Sequence, residues 1–535
     1  MTARSFNLAD LFEGAAEAIA DTDAVVTGGA GVPTRRLTYA ELDRRANRVA
    51  NHLQQWGIGP GDHVGVHLFN GAEFLEATLA AFKLRAVPVN ANFRYTAAEI
   101  AYVFDDAEVK AVITDQTLVD RVARAVPDLP RLAVCDDYEA AVGAASEDPP
   151  AVGARSGDDL YLLYTGGTTG HPKGVMWRHE DLFFGALGGQ GAPRQGLAPL
   201  DDPDDIGRFV RTGTGVDRRL PLCPLIHGGA QWAALTALLI GGTCLLSVDR
   251  RFDAASALRF AAAERAQFIM IIGDAVGRPL ADELTRSGDQ YDLSDLQLIS
   301  SSGAILSPAV KGALESSLPG VRVSDRFGAS ETGGQGRIKR NPDGSGPLQL
   351  VGDSTTVVID DEGAPVQPGS GITGKLARRG WIPLGYWNDA AKTAETFPVI
   401  DGVRYSVPGD LATVEADGTV TVFGRGSGVI NTGGEKVFPE EVEATIKAHP
   451  AVFDALVVGV PDERFGQQVA AVVSVRDGHR PPSVDELDSR CRDDLAGYKV
   501  PRRIVFVDDV QRKVTGKPDY AWARAAAEGG EVTTS

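Results

Sequence analysis

The sequence predicts an α/β protein in two parts: a large N-terminal multi-sheet α/β body over residues 1–425 and a small α+β C-terminal cap over residues 426–535. Three observations predict it. Helix-like and strand-like patterns alternate through most of the first four hundred residues, the signature of layered sheets that are largely parallel. A chain of 535 residues is too long for a single core. The texture changes at Gly424-Arg425-Gly426-Ser427-Gly428, where glycines follow a strand-like run and make the best candidate for an interdomain hinge.

The elements follow in order. Thr38 to Glu41 is a capping box, in which Thr and Glu three apart satisfy each other's backbone N–H groups; Leu42, Ala46, Val49, Ala50 and Leu53 then recur at helical spacing until Gly57. A second box, Thr96 to Glu99, opens another helix, and residues 109–114 read as the strand after it. Residues 144–158, acidic with paired prolines, and 188–205, rich in Gly, Pro and Asp, read as exposed loops. Between them, residues 159–164 form a short apolar run, a buried strand. Further strands are expected at 268–272, 296–299 and 419–423. In the cap, Pro439 starts a helix reaching His449, strands are expected at 455–460, 469–475 and 503–507, and Ser483 to Glu486 opens a second helix. The small, polar tail from Ala525 is expected to fray.

Composition narrows the function. A formal charge of −19 argues against nucleic acid or an anionic membrane surface as partner, since phosphate polymers need basic surface. The four cysteines, Cys135, Cys223, Cys244 and Cys491, form no CxxC pair, offer neither a disulfide framework nor a zinc site, and read as core residues in a reducing compartment. The first residues lack a signal-peptide core and no segment has the length of a membrane span, so a cytoplasmic protein is expected.

Chemistry concentrates at residues 164–174, YTGGTTGHPKG, directly after the expected strand. Gly166, Gly167 and Gly170 let backbone N–H groups close on an anion; Thr165, Thr168 and Thr169 add hydroxyl donors, and Lys173 adds a charge. This is a phosphate loop, yet not a Walker A loop, because no GxxxxGK precedes Ser or Thr, and Gly516-Lys517 continues into Pro518. A second constellation, DRFGASETG at 325–333, joins an aromatic ring, a hydroxyl and a carboxylate. Phe327 could stack on a base or serve the core, Ser330 could donate to a phosphate, and Glu331 offers an oxygen ligand for magnesium.

The loop at 164–174 resembles the signature of the adenylate-forming superfamily, which includes acyl-CoA synthetases, luciferases and the adenylation domains of peptide synthetases. The wording of YLLYTGGTTGHPKGVMWRHED and INTGGEKVFPEEVE is most similar to bacterial acyl-CoA synthetases that activate fatty acids and steroid side-chain carboxylates. The resemblance implies ATP, CoA and Mg2+ as partners of a small-molecule carboxylic acid. It carries Asp325, Phe327, Gly328, Ser330 and Glu331 into the nucleotide site, with Phe where tyrosine is common and Ser where threonine is common. Ser302, Gly303 and Ala304 resemble the small-residue segment against adenine, although a turn without a ligand reads the same way. Asp410 and Arg425 match the residues that bind the ribose. Gly433 and Gly434 match the loop lining the pantetheine tunnel, and Lys517 matches the catalytic lysine of the cap. Ser427 stands where the family's hinge is usually Asp or Lys. His227 matches a position that gates the carboxylate pocket, though a histidine ahead of an apolar helix can equally be structural or a cap. Trp177, Gln231 and Trp232 are expected in the pocket wall. The implied reaction is carboxylate attack on the α-phosphate of ATP, then displacement of AMP by the CoA thiol; loading of a carrier protein, or an inactive nucleotide-binding protein, are the alternatives. Homodimers are common among such relatives.

Overall fold

A computed structural model describes residues 4–165, 172–191, 196–213, 217–304, 306–339, 348–425, 428, 430–432, 435–437, 439–462, 466–495, 497–513 and 518–529. Among these the strands form three sheets of fifteen, seven and five members. The seven-stranded sheet pairs His63–His67, Val87–Asn90, Val109–Asp115 and Leu160–Thr165 in parallel. The helices Tyr39–Gln55, Ala72–Lys83 and Ala97–Asp106 alternate with these strands, as α/β layering requires. One part of the large sheet is also parallel, built from Phe268–Ile271, Leu298–Ser301 and the start of Arg322–Ala329.

The parallel pattern ends there. From Phe327 to Arg425 every described pairing is antiparallel, through Gly333–Lys339, Leu348–Gly352, Gly374–Arg379, Asp410–Val414 and Val420–Arg425. Phe327–Ala329 to Gly333 and Val414 to Val420 are closed by short turns, whereas a parallel partner needs a crossover of a dozen or more residues. The expectation of largely parallel sheets therefore fails over this stretch. The last of these strands also continues through Gly424 and Arg425, two residues past the expected end.

Local signals predicted the capping geometry closely. All three boxes form: Glu41 N–H donates to Thr38 Oγ1 at 3.2 Å and Thr38 N–H to Glu41 Oε2 at 2.8 Å, with the same reciprocal pair at Thr96 and Glu99 and at Ser483 and Glu486. Each contributes about 1 kcal/mol to its helix. Over residues 525–529 the tail departs from expectation; residues 530–535 lie outside the described residues. Residues 520–529 are helical, and Ala523 and Ala527, one turn apart, pack on Leu456, Val458 and Val472 of the C-terminal sheet. Packing of this small-residue stripe overrides the fraying expected of a polar terminus. Cys223, Cys244 and Cys491 are buried and free, whereas Cys135, also free, is only half-buried.

Two of the buried histidines of the body, His67 and His179, are held neutral. His67 and His179 are buried, and His179 Nδ1 accepts the Leu8 N–H at 3.2 Å. Loss of solvation holds both down at about 4, with the nearby Arg121 charge adding to the effect at His67. An unfolded histidine titrates near ~6.5, so between about 6.5 and about 4 the unfolded chain binds protons that the folded chain refuses, and stability falls as pH drops through that window. The unfolding temperature is expected to decline from about pH 7 to about pH 5, and to decline less steeply in His179→Gln. An identical pH slope in the variant would show that this histidine does not contribute.

Candidate functional site

The site is assembled where strands end. Leu160–Thr165 and Lys173–Arg178 pair antiparallel, with Thr165 opposite Lys173, so the two ends of the glycine-threonine loop are pinned side by side. Gly166, Gly167, Thr168, Thr169 and Gly170 themselves lie outside the described residues, as do Ser427, Gly433, Gly434 and Lys517. Asn90, at the end of a neighbouring strand, fixes the approach: its amide donates to the carbonyls of Tyr164 at 3.0 Å and Ile226 at 2.7 Å, and its Oδ1 accepts from Tyr164 N–H at 2.8 Å. One buried amide thus ties the loop strand to the residue before His227.

His227 precedes the helix Gly228–Leu239 and makes no side-chain cap bond to it; it lies half-buried on the wall of a cavity of about 900 Å3. Thr165, Ser302, Gly303, Phe327, Gly328 and Ser330 line the same cavity. Four separate stretches of the sequence therefore meet there. Gly303 takes φ +82°, a conformation that suits glycine, directly after the strand ending at Ser301. Ala304 lies just beyond the wall. Phe327 lines the cavity and also packs against the cluster around Leu350 and Val358. A side chain at Gly328 would bring its Cβ to 2.3 Å from the Gly333 carbonyl oxygen, so only glycine fits this close approach.

The turn between Ala329 and Gly333 is locked by Thr332, whose Oγ1 accepts from Ala329 N–H at 2.9 Å and donates to Gly333 O at 2.9 Å. It presents Ser330 and Glu331. The Glu331 carboxylate accepts from the Tyr386 hydroxyl at 3.0 Å, and its backbone carbonyl accepts from Ser406 Oγ at 2.6 Å. The Tyr386 ring centroid lies 5.7 Å from Lys173 Nζ, which forms an ion pair with Asp389. The lysine's hydrogen bond and the helix N–H of Lys392 hold the Asp389 carboxyl below its ordinary range. Lys173 and Glu331 are thus linked through Tyr386 while Asp389 holds the lysine, and the sequence singled out neither Tyr386 nor Asp389. Tyr386 and Asp389 sit in GYWND, a short aromatic and acidic run that local pattern does not mark as functional.

Asp325 is buried on the strand beside Ser301. Asp410 is buried and stands directly opposite Arg425 across two antiparallel strands; Arg425 is described by its backbone alone. Two expected wall residues fall elsewhere. Trp177 is fully buried behind the cavity, its indole N–H donating to the Ser330 carbonyl at 3.0 Å, and Gln231 is buried and accepts from the Tyr161 hydroxyl at 2.8 Å. Neither side chain lines the cavity. Trp232 does line the cavity, with Phe184, Ala233 and Met270 adding apolar wall.

Hydroxyls of Thr165, Ser302 and Ser330 thus share one chamber with the apolar side chains of Phe184, Trp232 and Met270. No helix among the described residues is long and apolar enough to cross a membrane. The AMP-binding enzyme family matches residues 12–387, and the C-terminal domain of AMP-binding enzymes matches residues 441–517. The chain is 45% identical over 543 residues to a 3-oxocholest-4-en-26-oate--CoA ligase of Rhodococcus rhodochrous, covering 97% of this chain and 96% of that protein. It is also 45% identical, over 98% of its length and 96% of the relative's, to a medium/long-chain-fatty-acid--CoA/3-oxocholest-4-en-26-oate--CoA ligase of Mycobacterium tuberculosis (strain CDC 1551 / Oshkosh). Among solved structures it resembles an anthranilate CoA ligase in complex with anthranoyl-AMP, with a TM-score of 0.82 at 25% identity over 97% of each chain. A fatty acyl CoA synthetase of Mycobacterium tuberculosis matches with a TM-score of 0.69 at 25% identity, covering 97% of this chain and 98% of that one. With both family regions matched in order and relatives aligned nearly end to end, this chain belongs to the AMP-binding, adenylate-forming enzymes.

Proposed function

We propose that this protein is an ATP-dependent acid–thiol ligase that converts a hydrophobic carboxylic acid, a fatty acid or a steroid side-chain acid, to its CoA thioester through an acyl-adenylate, releasing AMP and pyrophosphate. The observation that carries this is the 45% identity, over nearly the whole length, to ligases named for such acids. The large, mostly apolar chamber beside the phosphate-loop strand supports it.

In this reading Thr165, the loop glycines and threonines 166–170, and Lys173 hold the phosphates. Ser302, Gly303 and Ala304 with Phe327 and Gly328 frame the adenine, Ser330 donates to the α-phosphate, and Asp325, Asp410 and Arg425 hold the rest of the nucleoside. Glu331 is the proposed magnesium ligand. Its carboxylate is oriented by Tyr386 yet keeps oxygen lone pairs to give a cation, which fits a hard ion that prefers one or two carboxylates together with substrate phosphates. When bound, the ion would neutralise phosphate charge. His227 would gate the carboxylate pocket, Gly433 and Gly434 would line the thiol path, and Lys517 would act on the α-phosphate. The chain would divide at 425/426, with Ser427 in the hinge. Free cysteines favour the cytoplasm as its place, and a homodimer, common in the family, is the proposed assembly.

The test is pyrophosphate release with short, medium, long, aromatic and steroid acids, each with and without CoA, followed by mass spectrometry. Acyl-CoA and AMP are expected, with acids of six or more carbons preferred over acetate and amino acids. ADP with free phosphate would refute the reaction, and a preference for acetate or an amino acid would refute the substrate class.

A further inference from the structure

The cavity wall contains a charge that the adenylation chemistry does not use. Arg378, on the strand Gly374–Arg379, is 3% exposed and lines the cavity, yet its Nε and Nη1 have no hydrogen-bond partner among the described residues. Its setting follows from the register. Arg378 stands opposite Thr356 on one neighbouring strand and opposite Ser406 on the other. Residues directly opposed in an antiparallel sheet share a face. Thr356 Oγ1 donates to the Gln335 carbonyl at 2.8 Å and Ser406 Oγ to the Glu331 carbonyl at 2.6 Å. The arginine between them therefore faces the segment 331–335, where the carbonyls of Glu331, Gly333 and Gln335 are already taken.

The middle of that segment is open. Gly333 and Gly334 both line the cavity, and a Cβ at Gly334 would have no heavy atom within 4 Å. Gly333 borders Gly185, whose carbonyl oxygen would lie 3.0 Å from an added Cβ, so this window sits beside Phe184 on the apolar side of the chamber. The opposite charge acting on Arg378 is Asp353, which lines the same wall; its Oδ1 accepts from the Thr355 N–H and hydroxyl. Burial holds the guanidinium below its ordinary range and Asp353 offsets this in part. A guanidinium carries five N–H donors, and leaving buried donors unmatched is costly enough that a complementary acceptor is the expected occupant.

We infer that Arg378 is a specificity-determining residue that hydrogen-bonds a neutral oxygen, a ketone or hydroxyl, borne by the acid substrate away from its reacting carboxylate. The inference rests on the ligase reading above. A neutral acceptor fits better than a second carboxylate because Asp353 already supplies a negative charge on that wall. A plain alkyl acid would leave the guanidinium unmatched, and sites built to hydrogen-bond a substrate group discriminate strongly against analogues lacking it.

The test compares kcat/KM for matched acids in the wild type, Arg378→Met and Arg378→Lys. The probes are 3-oxocholest-4-en-26-oate with its 3-deoxo counterpart, and keto-substituted straight-chain acids with their unsubstituted and dicarboxylic analogues. The wild type is expected to prefer at least one keto acid over its parent by about tenfold or more. That ratio should collapse towards unity in Arg378→Met and be partly restored in Arg378→Lys. Because the readout is a ratio within one preparation, partial misfolding does not alter it, and the lysine variant keeps the test open where methionine prevents folding. Three outcomes overturn the inference: no keto acid preferred by the wild type, a preference that survives in Arg378→Met, or a dicarboxylic acid preferred over the keto acid. An equal fall for keto and plain acids would make Arg378 a structural cation and also overturn it. Formation of acyl-CoA and AMP from plain acids by the wild type would leave the ligase reading standing in every one of these cases.

Discussion

Lys517→Ala is expected to slow acyl-adenylate formation by on the order of a hundredfold or more, the scale for losing one electrostatic contact made in the transition state. Lysine is a compact charge on a long stem, suited to the negative charge that builds on the α-phosphate as the carboxylate attacks. The same preparation, given synthetic acyl-adenylate and CoA, is expected to form thioester at nearly the native rate, because a charge that serves the phosphate during attack has no role once AMP is the leaving group. The two half-reactions thus separate the proposed role from a structural one. Equal losses in both would mean that Lys517 supports the fold of the cap or that one pose serves both steps.

Glu331→Gln is the second large effect. The substitution keeps the shape of the side chain and an oxygen that can accept from the Tyr386 hydroxyl, now at 3.0 Å, so the turn locked by Thr332 should persist. What is removed is the charge offered to the metal. Adenylate formation is expected to fall by about two to three orders of magnitude, as for loss of one preorganised electrostatic group. The apparent magnesium requirement should shift upward in the same titration. A variant that loses activity with an unchanged magnesium dependence would place the metal elsewhere, and one with near-native adenylation would remove Glu331 from the chemistry.

Much of the architecture was legible because its causes are local. A threonine or serine with glutamate three residues on satisfies two helix-end N–H groups whatever surrounds it, and all three such boxes formed where the spacing put them. The apolar run before the glycine-threonine loop reads as a buried strand, and it ends at Thr165, one residue beyond expectation. The alanine stripe of the C-terminal helix escaped notice because small residues give a weak periodic signal until something packs on them. The antiparallel half of the large sheet was missed for a related reason: strand direction depends on which partner a strand finds, and short strands between turns look alike in either arrangement.

The sequence alone determined the order of the chemical motifs, the family they resemble and the helix starts, since each rests on residues within a few positions of one another. Only the tertiary structure decided which of those residues share a wall. It buried Trp177 and Gln231, hung Glu331 on Tyr386 fifty-five residues away, joined Lys173 to Asp389 across 216 positions and set Arg378 on the same cavity as two glycines of a different strand. The physical reason is register. A shift of one residue in a strand pairing sends every side chain to the opposite face, so cross-sheet neighbours are fixed by the sum of non-local contacts and not by any local run of sequence.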